Sequence, residues 1–178
     1  MAIKTYVYEY HTDKNERLEL ITAAVHEYTG NDQLAVTFNS KGKPSVKGSK
    51  VHLSVTNTGE VMVVVISNKQ IGIDGEYMPR IKQKKIDYYN LAERFFSEDE
   101  AEYVRGADDT ATAFVKVWVR KEAYIKYTGK GLTDFPNFSV VSDSGHFESE
   151  VGGVNIKRFN PSFPMSEDYI FAIATNEG

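Results

Sequence analysis

The sequence predicts an α+β protein built of two halves, and three observations carry that prediction. Residues 1–79 alternate short stretches rich in β-branched and aromatic side chains with one stretch at helical spacing. Residues 80–128 hold three helical stretches in succession, and from residue 135 strand-like patterning returns. The change falls near residues 77–83, around Pro79, so the expected division is an N-terminal half over 1–79 and a C-terminal half over 80–178.

In the first half, Ile3 to Tyr10 alternates like a strand. Asp13 is placed to cap the helix that follows, where Leu18, Ile21, Ala24 and Val25 recur at helical spacing, and Gly30 ends it. Leu34 to Phe38 reads as a short strand and Lys41-Gly42-Lys43-Pro44 as a turn. Val51 to Val55, Val61 to Ser67 and Gln70 to Ile73 read as strands of one sheet. The run Val61 to Ile66 has almost no polar alternation, which predicts a central strand buried on both faces. In the second half, Ile81 to Phe96 is spaced as a helix. Ser97 begins another, with Glu100 at the capping-box position, and Thr110 to Tyr127 forms a third, closed by Gly129 and Gly131. Phe135 to Val141, His146 to Phe159 and Tyr169 to Thr175 are patterned as strands.

Composition narrows the classes of function. Hydrophobic residues make up 41% and charged residues 26% of 178, which suffices for a sizeable core. A net charge of −4 argues against non-specific nucleic-acid binding, which depends on neutralising phosphates. There is no cysteine, hence no disulfide framework and no cysteine metal site. No stretch approaches the roughly 18 apolar residues of a membrane span. Met1 to Tyr6 lacks the charged segment and apolar run of a signal peptide. The expectation is a soluble, cytoplasmic protein.

Three places could carry chemistry. Asp74 and Glu76 stand one residue apart at a strand end, so both point to one face. Two hard oxygen donors so placed suit Mg²⁺, which keeps several waters and takes further oxygens from phosphates. Taken alone, the Asp-Gly-Glu triplet reads more simply as an acidic strand end facing solvent. Trp118, Glu122 and Lys126 follow one another at i, i+4, i+8 along one helix face. Alone, they also fit a core tryptophan beside a solvated ion pair, although Val119 and Ile125 bring that face near the core. Lys41 to Pro44, with the hydroxyls and amide of Ser54 to Gly59, could cradle a phosphate, or could be ordinary β-turns.

In order, Lys43-Pro44, Ser54 to Gly59, Gly72-Ile73-Asp74-Gly75-Glu76, Arg94 to Glu100, and Trp118 to Lys126 with Gly129-Lys130-Gly131-Leu132 form a set. This set resembles the 4′-phosphopantetheinyl transferases of the surfactin-synthetase-activating (Sfp) type. The resemblance implies two similar α/β halves about a pseudo-twofold axis, with the active site in the cleft between them. It implies transfer of 4′-phosphopantetheine from coenzyme A to a serine of an acyl or peptidyl carrier protein, with release of 3′,5′-ADP. On this reading Asp74, Glu76 and Glu122 hold Mg²⁺ against the pyrophosphate of coenzyme A, and Asp74 belongs to the catalytic set. Lys126 contacts the phosphates, and Glu122 deprotonates the carrier serine directly or through a water. Lys43, Pro44, Thr56, Asn57 and Thr58 match positions that hold the nucleotide part. The metal motif begins at Gly72, well inside the chain, which suits the two-half, monomeric type rather than the smaller type that trimerises.

Two departures stand out. Asn57 occupies a position where the family usually has histidine, and Gly75 one where it usually has a bulky apolar residue. They leave open an alternative, a degenerate relative that binds coenzyme A or a carrier protein with little or no turnover. A third departure is the N-terminal part, which is short and lacks the basic cluster of the family, with Lys14 and Arg17 the only candidates there. Trp118 is expected to pack the long helix against the sheet.

Overall fold

The computed structural model describes residues 3–176, so the first two and last two residues of the chain lie outside it. Its first sheet is antiparallel in the order β1-β5-β4, from Lys4–Glu9 (β1), His52–Thr58 (β4) and Val61–Ser67 (β5). Every residue of β5 is buried, as its unbroken apolar run requires, because each face of the strand meets a different neighbour. Met62, Val64 and Ile66 pack with Leu53 against Ile21, Ala24 and Val25 of α1 (Lys14–Thr29). Val61, Val63 and Val65 face Ile71, Ile73, Phe171 and Ile173 of a second sheet. The helix α1 starts where Asp13 accepts hydrogen bonds from the Asn15 and Glu16 amides, and stops at Gly30 with φ 68°. A short ribbon, β2 (Val36–Phe38) with β3 (Pro44–Val46), closes this half.

The second sheet runs β6-β9-β8-β7, from Ile71–Tyr77 (β6), Glu150–Val151 (β7), Val154–Phe159 (β8) and Tyr169–Thr175 (β9). Four helices precede its last three strands: α2 (Met78–Gln83), α3 (Tyr88–Phe95), α4 (Glu98–Arg105) and α5 (Thr110–Thr128). The two sheets repeat one arrangement, first strand, last strand, middle strand: β1-β5-β4 and β6-β9-β8.

Several expectations are corrected. The strand at 70–73 does not join the first sheet. β6 extends to Tyr77 and pairs with β9, placing Asp74 opposite Ala172 and Gly75 opposite Phe171. Towards β4, the Ile73 amide donates to the Ser54 hydroxyl at 3.1 Å, so a side chain stands where a ladder bond would be. The helix expected over 81–96 is two helices, because Asp87 caps a new one by accepting from Asn90 N–H. The strand expected at 135–141 starts instead in a 3-10 helix, Leu132–Asn137, in which Pro136 has no N–H to give a ladder, and Val141 makes an isolated bridge to Phe147. The stretch 146–159 is interrupted by positive-φ Gly152 and Gly153 between β7 and β8. Trp118, half-buried, packs against the core that includes Ala172 and Ala174, and its rings meet Phe114, stacked at 5.9 Å, and Phe135, edge-on at 5.1 Å.

Two contacts hold the second half in register. Lys121 and Glu100 form an ion pair with both side chains 0% exposed, at 2.8 Å. Glu100 also accepts from the Ser97 amide at 2.9 Å, completing the capping box of α4, and from the Val140 amide at 2.7 Å. Lys121 further donates to the Phe138 carbonyl. One carboxylate thus ties α4, α5 and the segment after the 3-10 helix together. The other contact is at Gly72, where a Cβ would lie 2.1 Å from the Ala123 carbonyl oxygen. Only glycine lets the backbone of α5 descend this close to β6.

Gly75 is equally constrained, since a Cβ there would stand 2.1 Å from the Phe171 ring. The aromatic ring of the neighbouring strand already supplies the bulk that residue 75 lacks, so the glycine leaves no gap between the carboxylates. Gly75→Ile should therefore overpack the inter-sheet core and cost about 1–3 kcal/mol or more. Adding Phe171→Ala should return part of that loss. Urea denaturation of the three variants decides it: a double variant weaker than Gly75→Ile alone would overturn the account. Among the described residues no helix is long and apolar enough to cross a membrane.

Candidate active site

β6 alternates its faces so that Ile71 and Ile73 enter the core between the sheets. Gly72, Asp74 and Glu76 share the opposite face, which looks at α5. The close approach at Gly72 brings the Glu122–Lys126 turn of α5 down beside the two carboxylates. Lys126 Nζ lies 2.9 Å from Asp74 Oδ1 and 3.1 Å from the Val55 carbonyl of β4. The Thr56 hydroxyl donates to the same Asp74 oxygen at 3.3 Å. Lys126 is therefore spent on Asp74 and β4 rather than on Glu122, and the simple solvated i, i+4 pair does not describe this face.

Asp74 is 7% exposed, and its Oδ2 is buried with no hydrogen-bond partner. Glu76 and Glu122 are both pushed up to about 7, first by burial and then by the charge of Asp74. Asp74 acts on both glutamates and Glu76 also acts on Glu122, so carboxylates of β6 and α5 are electrostatically linked. An orphaned oxygen beside two carboxyls that resist ionisation is an arrangement a divalent cation would relieve, and oxygen is the donor Mg²⁺ prefers. The donor set fits such an ion. As placed, no three His, Cys, Asp or Glu side chains among the described residues are close enough together to hold one, and the Lys126 ammonium sits on Asp74 Oδ1.

These shifts carry a pH dependence. An acid whose folded pKa exceeds its unfolded one contributes stability that is fully present below the unfolded value, here 4.5, and lost as pH rises towards about 7. Without divalent cations, the melting temperature should fall between those limits, and Glu76→Gln with Glu122→Gln should flatten the fall. Mg²⁺ should raise the melting temperature more at pH 8 than at pH 5.5. Calorimetry at the two pH values tests this, and a pH-independent Mg²⁺ effect would refute it.

Beside the carboxylates opens a cavity of about 460 Å³, whose walls include Lys41, Lys43, Pro44, Glu122, Lys126 and Lys130. Lys43 Nζ donates to the Lys126 and Tyr127 carbonyls at 2.7 and 3.3 Å, and Lys41 Nζ to the Gly129 carbonyl at 3.4 Å. Both lysines thus cap the C-terminus of α5, where exposed carbonyls favour cations. Burial lowers the Lys43 pKa. They join the two halves across the cavity mouth.

The remaining expected contacts do not share that cavity. Thr56 turns inward onto Asp74. Asn57 and Thr58 line a separate depression of about 140 Å³ with Tyr10, Gly59 and Arg80. Arg80 went unnoticed in the sequence, where a lone arginine after Pro79 carries no motif. It lines the Asn57 depression and also acts on Glu76, whose pKa it lowers against burial. Arg17, one of two candidate cations near the N-terminus, donates to the His11 and Thr12 carbonyls.

Comparison with known proteins places this geometry among relatives. A family model described as the 4′-phosphopantetheinyl transferase superfamily matches residues 70–174, from β6 to the end of β9. The chain is 32% identical to a 4′-phosphopantetheinyl transferase of Bacillus subtilis over 85% of its own length and 68% of that protein's. It is 33% identical to the 4′-phosphopantetheinyl transferase gsp of Aneurinibacillus migulanus, over 57% of this chain and 41% of the other. It is 28% identical to the 4′-phosphopantetheinyl transferase Sfp of Bacillus subtilis strain 168, over 68% of this chain and 54% of the other. The chain therefore spans between about two fifths and two thirds of these relatives.

Proposed function

The chain belongs to the 4′-phosphopantetheinyl transferase superfamily, and on that premise we propose that it moves 4′-phosphopantetheine from coenzyme A to a carrier-protein serine, releasing 3′,5′-ADP. The observation that carries this reading is the convergence of Asp74 and Glu76 from β6 with Glu122 and Lys126 from α5, beside a lysine-walled cavity. Asp74, Glu76 and Glu122 would hold Mg²⁺, which supplies neutralisation of the pyrophosphate charge. Lys126 and Lys43 share the phosphate charge, and Lys130 stands on the same wall. Glu122, with a pKa near 7, is matched to accept the serine proton at neutral pH, directly or through a water. The serine oxygen forms a bond to the β-phosphorus while the bond from that phosphorus to the 3′,5′-ADP oxygen breaks.

Both carboxylates of β6 and both charges of α5 come from one chain, which supports action as a monomer. The repeated strand order supports two similar halves about a pseudo-twofold axis. It also favours dividing them before β6, near residues 68–70, over a boundary at 79. The degenerate alternative loses ground on both of its motives. Phe171 fills the space over Gly75, and Arg80 brings a fixed cation to the depression where Asn57 brings none. Mass spectrometry of apo-carrier proteins incubated with coenzyme A and this chain, with and without Mg²⁺, tests the proposal. A mass gain of one phosphopantetheine only with Mg²⁺ is expected; coenzyme A binding without any transfer would leave the degenerate reading standing.

A further inference from the structure

A second cavity, larger than the one beside the carboxylates, lies elsewhere. Lys116 and Arg120, one turn apart on α5, point away from the carboxylates: at about 100° per residue, Arg120 lies about 200° around the helix from Glu122. They line a cavity of about 580 Å³ together with Lys82, Arg158 and the ring of Phe147. Arg120 is 8% exposed. Its Nη1 donates to the Lys116 carbonyl at 2.9 Å and its guanidinium lies 3.8 Å over Phe147. That uses one of five N–H donors.

A buried arginine ordinarily faces an acid, because burying a charge unpaired is costly. Here no ion pair reaches Lys116, Arg120 or Arg158 among the described residues. Arg158 spends its Nε on Asn160 at 3.1 Å and is itself a repelling neighbour of Arg120. Lys82 is paired with Asp109 at 3.1 Å. Glu167 and Asp168 stand on the cavity wall, yet neither pairs with these arginines. Two arginines and a lysine therefore line open space with none of them in an ion pair among the described residues, one of them held by burial and by an aromatic ring.

We infer that this cavity is a second binding site, distinct from the Asp74–Glu122 cleft, for a small molecule carrying a carboxylate or phosphate group. Arg120 would hold the oxyanion with its free donors and Arg158 would close on it from the rim. Nuclear magnetic resonance of the arginine Nε–H groups of the full chain reads the site directly, with inorganic phosphate and succinate as separate probes. A saturable shift of the Arg120 resonance with at least one probe is expected, and which probe acts distinguishes the two anion classes. Arg158→Gln should weaken that affinity at least tenfold, because it removes a charge from the rim at an exposed side chain. Arg120→Met, followed through Arg158, should weaken it as much or more, while Lys43→Met in the other cavity should leave it unchanged. No saturable shift of Arg120 with either probe, or an affinity unmoved by Arg158→Gln, would overturn the inference.

Discussion

Lys121→Met is expected to destabilise the protein by about 3–5 kcal/mol, because it leaves the Glu100 carboxylate at 0% exposure with no cation beside it. For a domain of this size that corresponds to a fall in melting temperature of roughly 6–20 °C. The loss should be concentrated in the second half, since Glu100 joins the cap of α4, the Val140 amide and α5. Glu100→Gln alone should also be costly, though less so, because an amide still accepts one hydrogen bond. Combining Glu100→Gln with Lys121→Met removes both charges and should be more stable than Lys121→Met alone. Urea denaturation of the four proteins gives the coupling. Additive losses would mean that the pair does not act as a unit.

Asp74→Ala is expected to abolish transfer, with at least about a hundredfold loss in kcat/KM, in line with removal of a single group that stabilises developing charge. The same substitution should leave the fold intact. Asp74 Oδ2 already lacks a partner, and removing the carboxylate relieves repulsion on its neighbours. Glu76 and Glu122 should both titrate lower, since Asp74 raises each of them, and carbon-detected titration of the glutamate carboxyls reads this without any substrate. Glu122→Gln should likewise stop transfer. Near-wild-type activity of Asp74→Ala, or unmoved glutamate titrations, would remove Asp74 from the site.

Much of this architecture was legible because it is local. The Asp13 cap, the Gly30 and Gly129 stops and the Ser97–Glu100 capping box are written within a few residues, and each forms as its residue types require. The buried run of β5 was legible from its missing alternation. The sharing of one face by Asp74 and Glu76 was legible from the strand period, and their burial against α5 was not. What stayed hidden depends on partners distant in the chain. Gly75 looked like a loosening, since nothing near it announces that Phe171 will lie over it. Lys121 looked like one more charge in a motif, and its role as the cation paired with a buried carboxylate comes from a residue 21 positions away. Phe135 and Phe138 mimic strand patterning, yet they enclose Trp118 and Tyr124 from a 3-10 turn and its exit.

The pairing of β6 with β9 has a consequence for how the protein is made. Tyr77 meets Tyr169 and Ile71 meets Thr175, so the strand bearing Asp74 and Glu76 waits for a partner made about a hundred residues later. At about 5–20 residues per second, that interval is roughly 5–20 s on the ribosome. Throughout it, Ile71 and Ile73 have no sheet partner, and closing so long a loop slows the pairing further. A nascent chain halted before Tyr169 should carry all four charged side chains of the cleft and still be unable to assemble it. The capacity to bind a cation there should therefore arrive in one step, late, when β9 docks.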